Sequence, residues 1–295
     1  MSGVGLGLRQ EFADDFATAT PADVDFVEVT AEHYFRRGGR SSRVLRAVLE
    51  QVPAVCHALN TNLGGPAPLD ERYLLDMRQF LDEYRIDGFS DHLCYSGDED
   101  WMHELLPIPF TEEAVRYTVG RIRRAQEIVE RPIAIENISY LTAPAQRMSE
   151  AEFVAAVLEE ADCRLMLDVS NLYINSINMG YDAEGFLAAM PLERVAYGHV
   201  AGYSKMVDTG MAKGDVEEAV YIDSHGHPVS EPVFDLLEVA YRRFGVFPTV
   251  IERDQNIPPV SELLAELGPI REIQQRVCPG NRPAGQPAGT AETVA

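Results

Sequence analysis

Six side chains of metal-ligand type stand at or just after the ends of short apolar runs: His57, His92, Glu136, Asp168, His199 and Glu252. Asn171 follows Asp168 by three residues, and Asp223 and His225 form an Asp-x-His pair in the segment after His199. These residues offer imidazole nitrogens and carboxylate or amide oxygens but no thiolate. Such a set suits zinc, manganese or iron, and ligand chemistry alone does not choose among them.

Core packing explains such a series of ionisable side chains poorly. Buried carboxylates and imidazoles need partners, and like charges repel, so gathering them without cations would cost free energy. The set holds four carboxylates and four imidazoles, enough for two or three ions. Glu136 lies in the chain between the two histidines and Asp168 and is the best placed to bridge two ions. Asn171 offers a neutral oxygen to a third ion beside Asp223 and His225.

The apolar runs alternate with helical patterns, as is typical of parallel strands joined by helices. Eight strands are predicted, at residues 4–8, 24–29, 52–56, 87–90, 132–135, 164–168, 194–198 and 247–251. Eight such units predict an α/β fold, the (β/α)8 or TIM barrel, in which the carboxyl ends of all strands meet at one rim. The asparagine-rich stretch after Asp168 predicts a loop, and residues 202–228 an irregular insertion.

Helix signals between the strands agree with this arrangement. Ser149 and Glu152, for example, have the spacing of a capping box at a helix start. We expect a single barrel domain over residues 1–277. Residues 278–295 are rich in Pro, Gly, Ala and Thr, cannot bury a core, and are expected to form a disordered tail.

Composition narrows the function classes. The chain has 25 basic and 47 acidic residues, a formal net charge of −22, which argues against a nucleic-acid partner because such binding relies on basic phosphate contacts. No apolar run is long enough to span a membrane, and the N-terminus shows no secretory signal pattern, so we expect a cytoplasmic protein without membrane contact. The four cysteines form no CxxC pair, and we expect reduced thiols.

Eight motifs carry a resemblance to a known family: AEHYF (31–35), SDHL (90–93), LLPIPFTEEA (105–114), IENISYL (135–141), LMLDVSNLYINSINMG (165–180), GHVAGY (198–203), IDSHGHPV (222–229) and IERD (251–254). Over residues 4–275 the chain resembles the multinuclear non-heme iron-dependent oxidative enzymes, which include the methanobactin biosynthesis oxidase. The resemblance implies a barrel like those of xylose isomerase and endonuclease IV. It also implies a peptide-recruiting partner protein and oxidation, with O2, of a residue, often cysteine, in a ribosomally made precursor peptide.

The same resemblance implies two or three iron ions in mixed Fe2+/Fe3+ states. By this likeness a first ion is bound by His57, His92 and Glu136, a second by Glu136, Asp168, His199 and Glu252, and a third by Asn171, Asp223 and His225. The layout is similar to that of endonuclease IV, except that Asn171 stands where that enzyme has a histidine.

Arg253 and Asp254 follow the candidate ligand Glu252 and are candidate catalytic residues. They could position an acidic substrate group or move a proton; a structural salt bridge is the alternative interpretation.

Two other functions remain open. A metal-dependent sugar isomerase or epimerase would use a similar barrel, and a lysine near the metals would favour it, but Lys205 and Lys213 both lie in the insertion. A metal-stabilised, non-enzymatic binding scaffold is the second.

Overall fold

A closed barrel of eight parallel strands forms the centre of the computed structural model, which describes residues 1–98, 101–142, 145–191, 193–207 and 219–279. With all strands numbered in chain order, these are β1 (Val4–Gly7), β2 (Phe26–Thr30), β3 (Ala54–His57), β4 (Phe89–His92), β7 (Ile133–Glu136), β8 (Arg164–Asp168), β9 (Val195–Ala201) and β12 (Thr249–Glu252). Their order around the barrel follows the chain, and β12 pairs with β1 to close it. The predicted (β/α)8 fold is confirmed.

The register of neighbouring strands brings candidate ligands side by side. His92 on β4 is the Cα partner of Glu136 on β7, and Asp168 on β8 is the Cα partner of His199 on β9. Paired positions on adjacent parallel strands point to the same face of the sheet. The register therefore gathers these four side chains at the carboxyl end of the barrel.

The helices of the described residues surround the strands: α1 (Gln10–Thr18), α2 (Arg40–Leu49), α3 (Glu71–Tyr84), α4 (Glu112–Val129), α5 (Glu150–Ala161), α6 (Val169–Met179), α7 (Ala183–Ala189), α8 (Glu231–Phe244) and α9 (Val260–Val277). Each of the longer ones buries one apolar stripe, as α4 does with Val115, Val119 and Ile122. The predicted capping box of Ser149 and Glu152 starts α5. None of these helices combines the length and apolar content needed to cross a bilayer.

Apolar side chains also fill the inside of the barrel. Phe26, Ala134, Met166, Tyr197 and Val250 form a buried cluster there, separate from the larger core between strands and helices. Fully burying an aliphatic or aromatic side chain contributes about 1.5–3 kcal/mol. This apolar cluster packs the barrel interior directly below the polar side chains at its carboxyl end.

Two antiparallel hairpins lie at the carboxyl rim of the barrel, and neither was predicted from the sequence. The first joins β5 (Tyr95–Gly97) to β6 (Trp101–Leu106), and the second joins β10 (Tyr203–Val207) to β11 (Ala219–Asp223). The prediction of an irregular insertion over residues 202–228 is therefore wrong for β10 and β11, while residues 208–218 lie outside the described part. The strands β10 and β11 bury no continuous face, so their alternation of apolar and polar residues is weak.

The loop predicted after Asp168 is also wrong, because α6 begins at the next residue. Asparagine usually disfavours helix interiors by bonding to nearby backbone. Here Asn175 accepts from the Tyr140 backbone N–H at 3.0 Å, and Asn178 accepts from the Tyr221 backbone N–H at 3.0 Å. These tertiary bonds remove the local competition. Of the predicted tail, residues 280–295 lie outside the described part of the chain.

Candidate metal centre

The candidate ligands gather at the carboxyl end of the barrel around a cavity of about 560 Å³. Seven of them line it: His57, His92, Glu136, Asn171, Asp223, His225 and Glu252. Asp168 and His199 are fully buried next to this lining. A larger cavity of about 860 Å³ opens at the opposite end, among the starts of the strands, and none of the nine candidate ligands lines it.

Three ligand atoms form a nearly equilateral triangle at the first candidate position. His57 Nε2 and His92 Nε2 lie 3.3 Å apart, and Glu136 Oε2 is 3.3 Å from the first and 3.4 Å from the second. Ligands about 2.0–2.1 Å from a tetrahedral metal stand about 3.3–3.4 Å from one another. The spacing of these three atoms therefore fits a common metal ion.

A second group lies deeper, next to the first. Glu136, Asp168 and His199 offer ligand atoms within 4.8 Å of one another. His199 Nδ1 is 3.9 Å from Asp168 Oδ2 and 3.1 Å from Glu252 Oε2. Glu136 thus contributes to both groups, which is the geometry that a bridging carboxylate requires.

The third group combines Asp223 at the end of the second hairpin, His225 just after it and Asn171 on α6, and the first two are partly exposed. Asp223 Oδ1 at the end of β11 lies 2.7 Å from His225 Nε2, an ion-pair distance, but the angles at the two atoms are not those of a hydrogen bond. Asn171 lines the same cavity, with its amide nitrogen donating to Glu136 Oε1 at 3.3 Å and its Oδ1 left without a partner. His225 also approaches Glu252 and Asp254.

Among the described residues, sixteen buried side-chain polar atoms have no hydrogen-bond partner, and six of the sixteen lie on candidate ligands. These six are Glu136 Oε2, Asp168 Oδ2, Asn171 Oδ1, His199 Nδ1, Asp223 Oδ1 and His225 Nε2. Native proteins leave few buried polar atoms unsatisfied, and each such atom calls for an explanation such as an ion. Six of them on candidate ligands fit a set of cations with nitrogen and oxygen donors.

Each of the four histidines has one ring nitrogen that points toward a candidate metal position. The other ring nitrogen of each contacts a polar side chain. His57 Nδ1 lies 2.7 Å from Ser90 Oγ, His92 Nδ1 3.3 Å from Asp91 Oδ1, His199 Nε2 2.7 Å from Glu28 Oε2, and His225 Nδ1 2.9 Å from Asp254 Oδ2. Metal-binding histidines almost always carry such a partner, which sets the tautomer and aims the free nitrogen.

The shifted pKa values of the candidate ligands also fit a site for cations. Burial raises the pKa of Glu136 to about 7, and burial beside Glu136 raises the pKa of Asp168 well above its usual range. Burial opposes protonation of His92, but the carboxylates of Glu136, Asp91 and Glu252 together outweigh it and raise the pKa of His92 to about 9. Burial holds the pKa of His57 well below its usual value. Metal ions would take over the charge balance that these protons otherwise provide.

Arg9 binds the carboxylates of the last strand. Its Nη2 lies 3.1 Å from Glu252 Oε1, and its Nε donates to Asp254 Oδ1 at 2.7 Å. Arg253 points away from Glu252, as alternation along a strand requires, and its guanidinium donates to Glu266 on α9 at 2.7 Å. Of the two candidate catalytic residues, Asp254 lines the cavity and Arg253 does not.

Close backbone packing at Gly202 positions the hairpin that carries Asp223 and His225. A Cβ atom at Gly202 would stand 1.9 Å from the carbonyl oxygen of His227. Only glycine lets the chain after β9 pass so near the segment after His225. On the other side, Asn178 of α6 both donates to and accepts from the backbone of Tyr221.

Sequence reasoning missed Glu28, Ser90, Asp91, Tyr197 and Arg9, which hold the candidate ligands in place. Glu28 did leave a signal, because it is a carboxylate within the apolar strand Phe26–Thr30. Such a residue on a strand buried on both faces needs a buried partner. The partner lies on β9, far away in the chain, so no local pattern reveals it.

Comparisons with known proteins agree on fold and family. The chain is 47% identical over 282 residues to a UPF0276 protein of Shewanella loihica, covering 95% of this chain and 98% of the relative. It is 42% identical over 276 residues to a UPF0276 protein of Pseudomonas aeruginosa, covering 94% of each. These names state no activity.

Solved structures with similar folds include endonuclease IV from Thermus thermophilus, with a TM-score of 0.60 at 16% identity over 92% of this chain and 99% of that one. A xylose isomerase domain protein from Planctomyces limnophilus has a TM-score of 0.59 at 15% identity over 94% and 98%. At these identities the likeness shows the fold alone. A family model described as "RiPP precursor modification enzyme MbnB/TglH/ChrH" matches residues 3–275. The chain belongs to this family of enzymes that modify the precursors of ribosomally synthesised peptides.

Proposed function

We propose that this protein is a multinuclear non-heme iron oxidase that uses O2 to modify a residue of a ribosomally synthesised precursor peptide. In the family that the sequence resembles, the modified residue is often cysteine. The observation that carries the proposal is the convergence of six unpartnered buried donor atoms at one cavity. Family membership supports the peptide substrate. The nitrogen and oxygen donors are compatible with iron, and the resemblance favours iron over zinc or manganese.

Three metal positions share the nine ligands. We assign the first to His57, His92 and Glu136, the second to Glu136, Asp168, His199 and Glu252, and the third to Asn171, Asp223 and His225. Bound iron would supply one-electron redox chemistry with O2, in mixed Fe2+/Fe3+ states. The neutral amide of Asn171 makes the third position the weakest, since it brings no charge to the ion.

The mouth of the cavity has features that suit a peptide. Leu106 on the first hairpin is 42% exposed and Leu141 after β7 is 58% exposed, and both line the cavity whose floor is polar. Exposed apolar side chains beside a polar pocket are typical of binding sites. Asp254, which lines the cavity, is the residue to which we assign proton handling. We assign Arg253 the structural role of binding Glu266 on α9.

The alternative of a sugar isomerase or epimerase finds less support. Its lysine would have to lie near the metals, but Lys205 is exposed on β10 with its Nζ 6.0 Å from the centre of the Tyr221 ring, and it does not line the cavity. Lys213 lies outside the described residues.

A non-enzymatic scaffold predicts peptide binding without O2 consumption. We retain a peptide-recruiting partner protein as part of the proposal.

Anaerobic purification without chelators, followed by metal analysis and Mössbauer spectroscopy, tests the metal assignment. A precursor peptide identified among the reading frames beside the gene, together with any partner protein encoded there, then tests the reaction. We expect two or three irons per chain and O2 uptake that requires the peptide, with a mass change in the peptide. Zinc-loaded protein is the matched control. Absence of transition metal, or peptide binding without O2 uptake by the iron form, would overturn the proposal.

A further inference from the structure

A continuous chain of short hydrogen bonds runs beneath the metal centre and joins ligands of two different metal positions. His57 Nδ1 lies 2.7 Å from Ser90 Oγ, which lies 2.6 Å from the hydroxyl of Tyr197. That hydroxyl donates to Glu28 Oε2 at 2.8 Å, and the same oxygen lies 2.7 Å from His199 Nε2. All five side chains are buried.

The donor and acceptor inventory gives the chain a single direction. A carboxylate only accepts, so Tyr197 O–H and His199 Nε2–H both donate to Glu28. The Tyr197 oxygen is then free to accept from Ser90, whose own oxygen accepts from His57 Nδ1–H. The other acceptor for the Ser90 hydroxyl, the Cys56 carbonyl, is farther away at 3.4 Å.

This direction places the proton of each neutral imidazole on the nitrogen away from the metal side, so that the other nitrogen can bind an ion. His57 presents Nε2 toward Glu136 and His92, and His199 presents Nδ1 toward Asp168 and Glu252. Strand geometry builds the arrangement, because Ser90 and Tyr197 stand two residues before the ligands His92 and His199 on their strands. Side chains two apart share a face, so Ser90 and Tyr197 form the layer below the metal ligands.

We propose that Glu28 is a shared buried anion that orients the ligand histidines of two metal positions, His199 directly and His57 through Tyr197 and Ser90. Glu28, Tyr197 and Ser90 are positioning residues in this proposal, which rests on the proposed metal centre. Carboxylate partners of ligand histidines raise ligand basicity, and their loss typically costs 10–100-fold in metal affinity. These hydrogen bonds would therefore couple two positions that, among the described residues, share Glu136 as their one common ligand.

Zinc-loaded protein allows a direct test by NMR, because Zn2+ is diamagnetic. We expect slowly exchanging ring N–H signals from His57 Nδ1–H and His199 Nε2–H. Tyr197→Phe should shift the His57 signal, although His57 Nδ1 bonds to Ser90 and not to Tyr197, and Ser90→Ala should abolish it. Glu28→Ala should abolish the His199 signal and shift that of His57. If the His57 signal stays unchanged in both Tyr197→Phe and Glu28→Ala, the proposal is overturned.

Zinc titration of metal-free protein gives a second readout. Ser90→Ala should weaken one of two tight positions 10–100-fold, and Glu28→Ala should weaken both. Because Ser90 and Tyr197 act in series on His57, the double variant Ser90→Ala/Tyr197→Phe should match Ser90→Ala alone at the position that contains His57, and additive losses at that position would contradict the proposal. Tyr241→Phe removes an equally buried hydroxyl far from the centre, bonded to Thr249 and Gln274, and should leave both affinities unchanged.

The two proposals fail in different ways. Tight zinc binding with the expected NMR shifts, but no O2 uptake by the iron form, would overturn the oxidase and leave the shared anion standing. O2 uptake with unresponsive His57 signals would do the reverse. A wild-type protein that binds neither zinc nor iron overturns both.

Discussion

Asp168 accepts a hydrogen bond at Oδ1 from the backbone N–H of Asn171, 2.6 Å away, while its Oδ2 has no hydrogen-bond partner. The same side chain thus ends β8, caps the N-terminus of α6 and offers one oxygen to the centre. These two roles explain why Asn171 follows Asp168 by three residues, because an N-cap side chain accepts a hydrogen bond from the backbone N–H of the third residue after it. Asn171 therefore reaches the cavity from the first turn of α6.

Asp168→Asn should separate the two roles. Asparagine caps helices as well as aspartate does, so the unfolding free energy of the metal-free variant should stay close to that of wild type. Asp168→Ala should lose about 0.5–2 kcal/mol through loss of the cap. Both variants should lose metal from the second position. Urea unfolding and metal analysis check this, and full metal retention by Asp168→Asn would contradict its role as a ligand.

Glu136→Ala should disturb two metal ions, whereas His92→Ala should disturb one. The reason is that Glu136 contributes to both the first and the second group, while His92 contributes to the first alone. Metal content per chain after anaerobic loading distinguishes the variants. Equal losses from the two would mean that Glu136 does not bridge.

Gly202→Ala and Gly120→Ala should have opposite effects on stability. A Cβ at Gly202 would meet the His227 carbonyl oxygen at 1.9 Å, so the hairpin must move; we expect a loss of about 1–3 kcal/mol and weaker binding at the third position. Gly120 lies exposed within α4 with open space around it, and alanine there should add about 0.5–1 kcal/mol through helix propensity. Thermal unfolding and metal titration measure both effects, and a stable Gly202→Ala with unchanged metal binding would refute the packing argument.

Glu150 should make folding stability depend on pH. Burial raises its pKa from 4.5 to about 7, although the hydroxyls of Tyr140 and Tyr181 donate to it at 2.9 and 3.0 Å. An acid whose pKa is raised by folding contributes stability below its unfolded pKa and loses it as pH rises through the folded pKa. Between pH 4.5 and 7, Glu150→Gln should therefore gain stability relative to wild type, by up to about 3 kcal/mol.

The matched control is Glu159→Gln, on the exposed face of the same helix. Its stability relative to wild type should change little over this range. Chemical unfolding of metal-free protein at several pH values gives the comparison. Parallel curves for wild type and Glu150→Gln would show that Glu150 is not the titrating group.

Strand positions and candidate ligands followed from the sequence because each depends on local information. An apolar run between helical patterns predicts a buried parallel strand, and the residue at its end is visible in the chain. Closure of a barrel then brings the strand ends to one rim, whatever their separation in sequence. The register His92 to Glu136 and Asp168 to His199 is the direct consequence.

The hairpins and the start of α6 did not follow in the same way. The short strands β10 and β11 bury no continuous face, so alternation is weak there. The asparagines of α6 bond to Tyr140 and Tyr221, which lie 35 and 43 residues away. Their helical state depends on contacts that local propensity does not include.

The sequence by itself determined the barrel and the residue types at its carboxyl rim, because strand period and chain order suffice for both. Only the tertiary structure decided which atoms of these candidate ligands converge and which partners hold them. Glu28 meets His199 across 171 residues of chain, and Tyr197 meets Ser90 across 107. These contacts exist only when β2, β4 and β9 turn their inner faces toward one another, since a side chain inside a closed barrel finds its partner across the barrel.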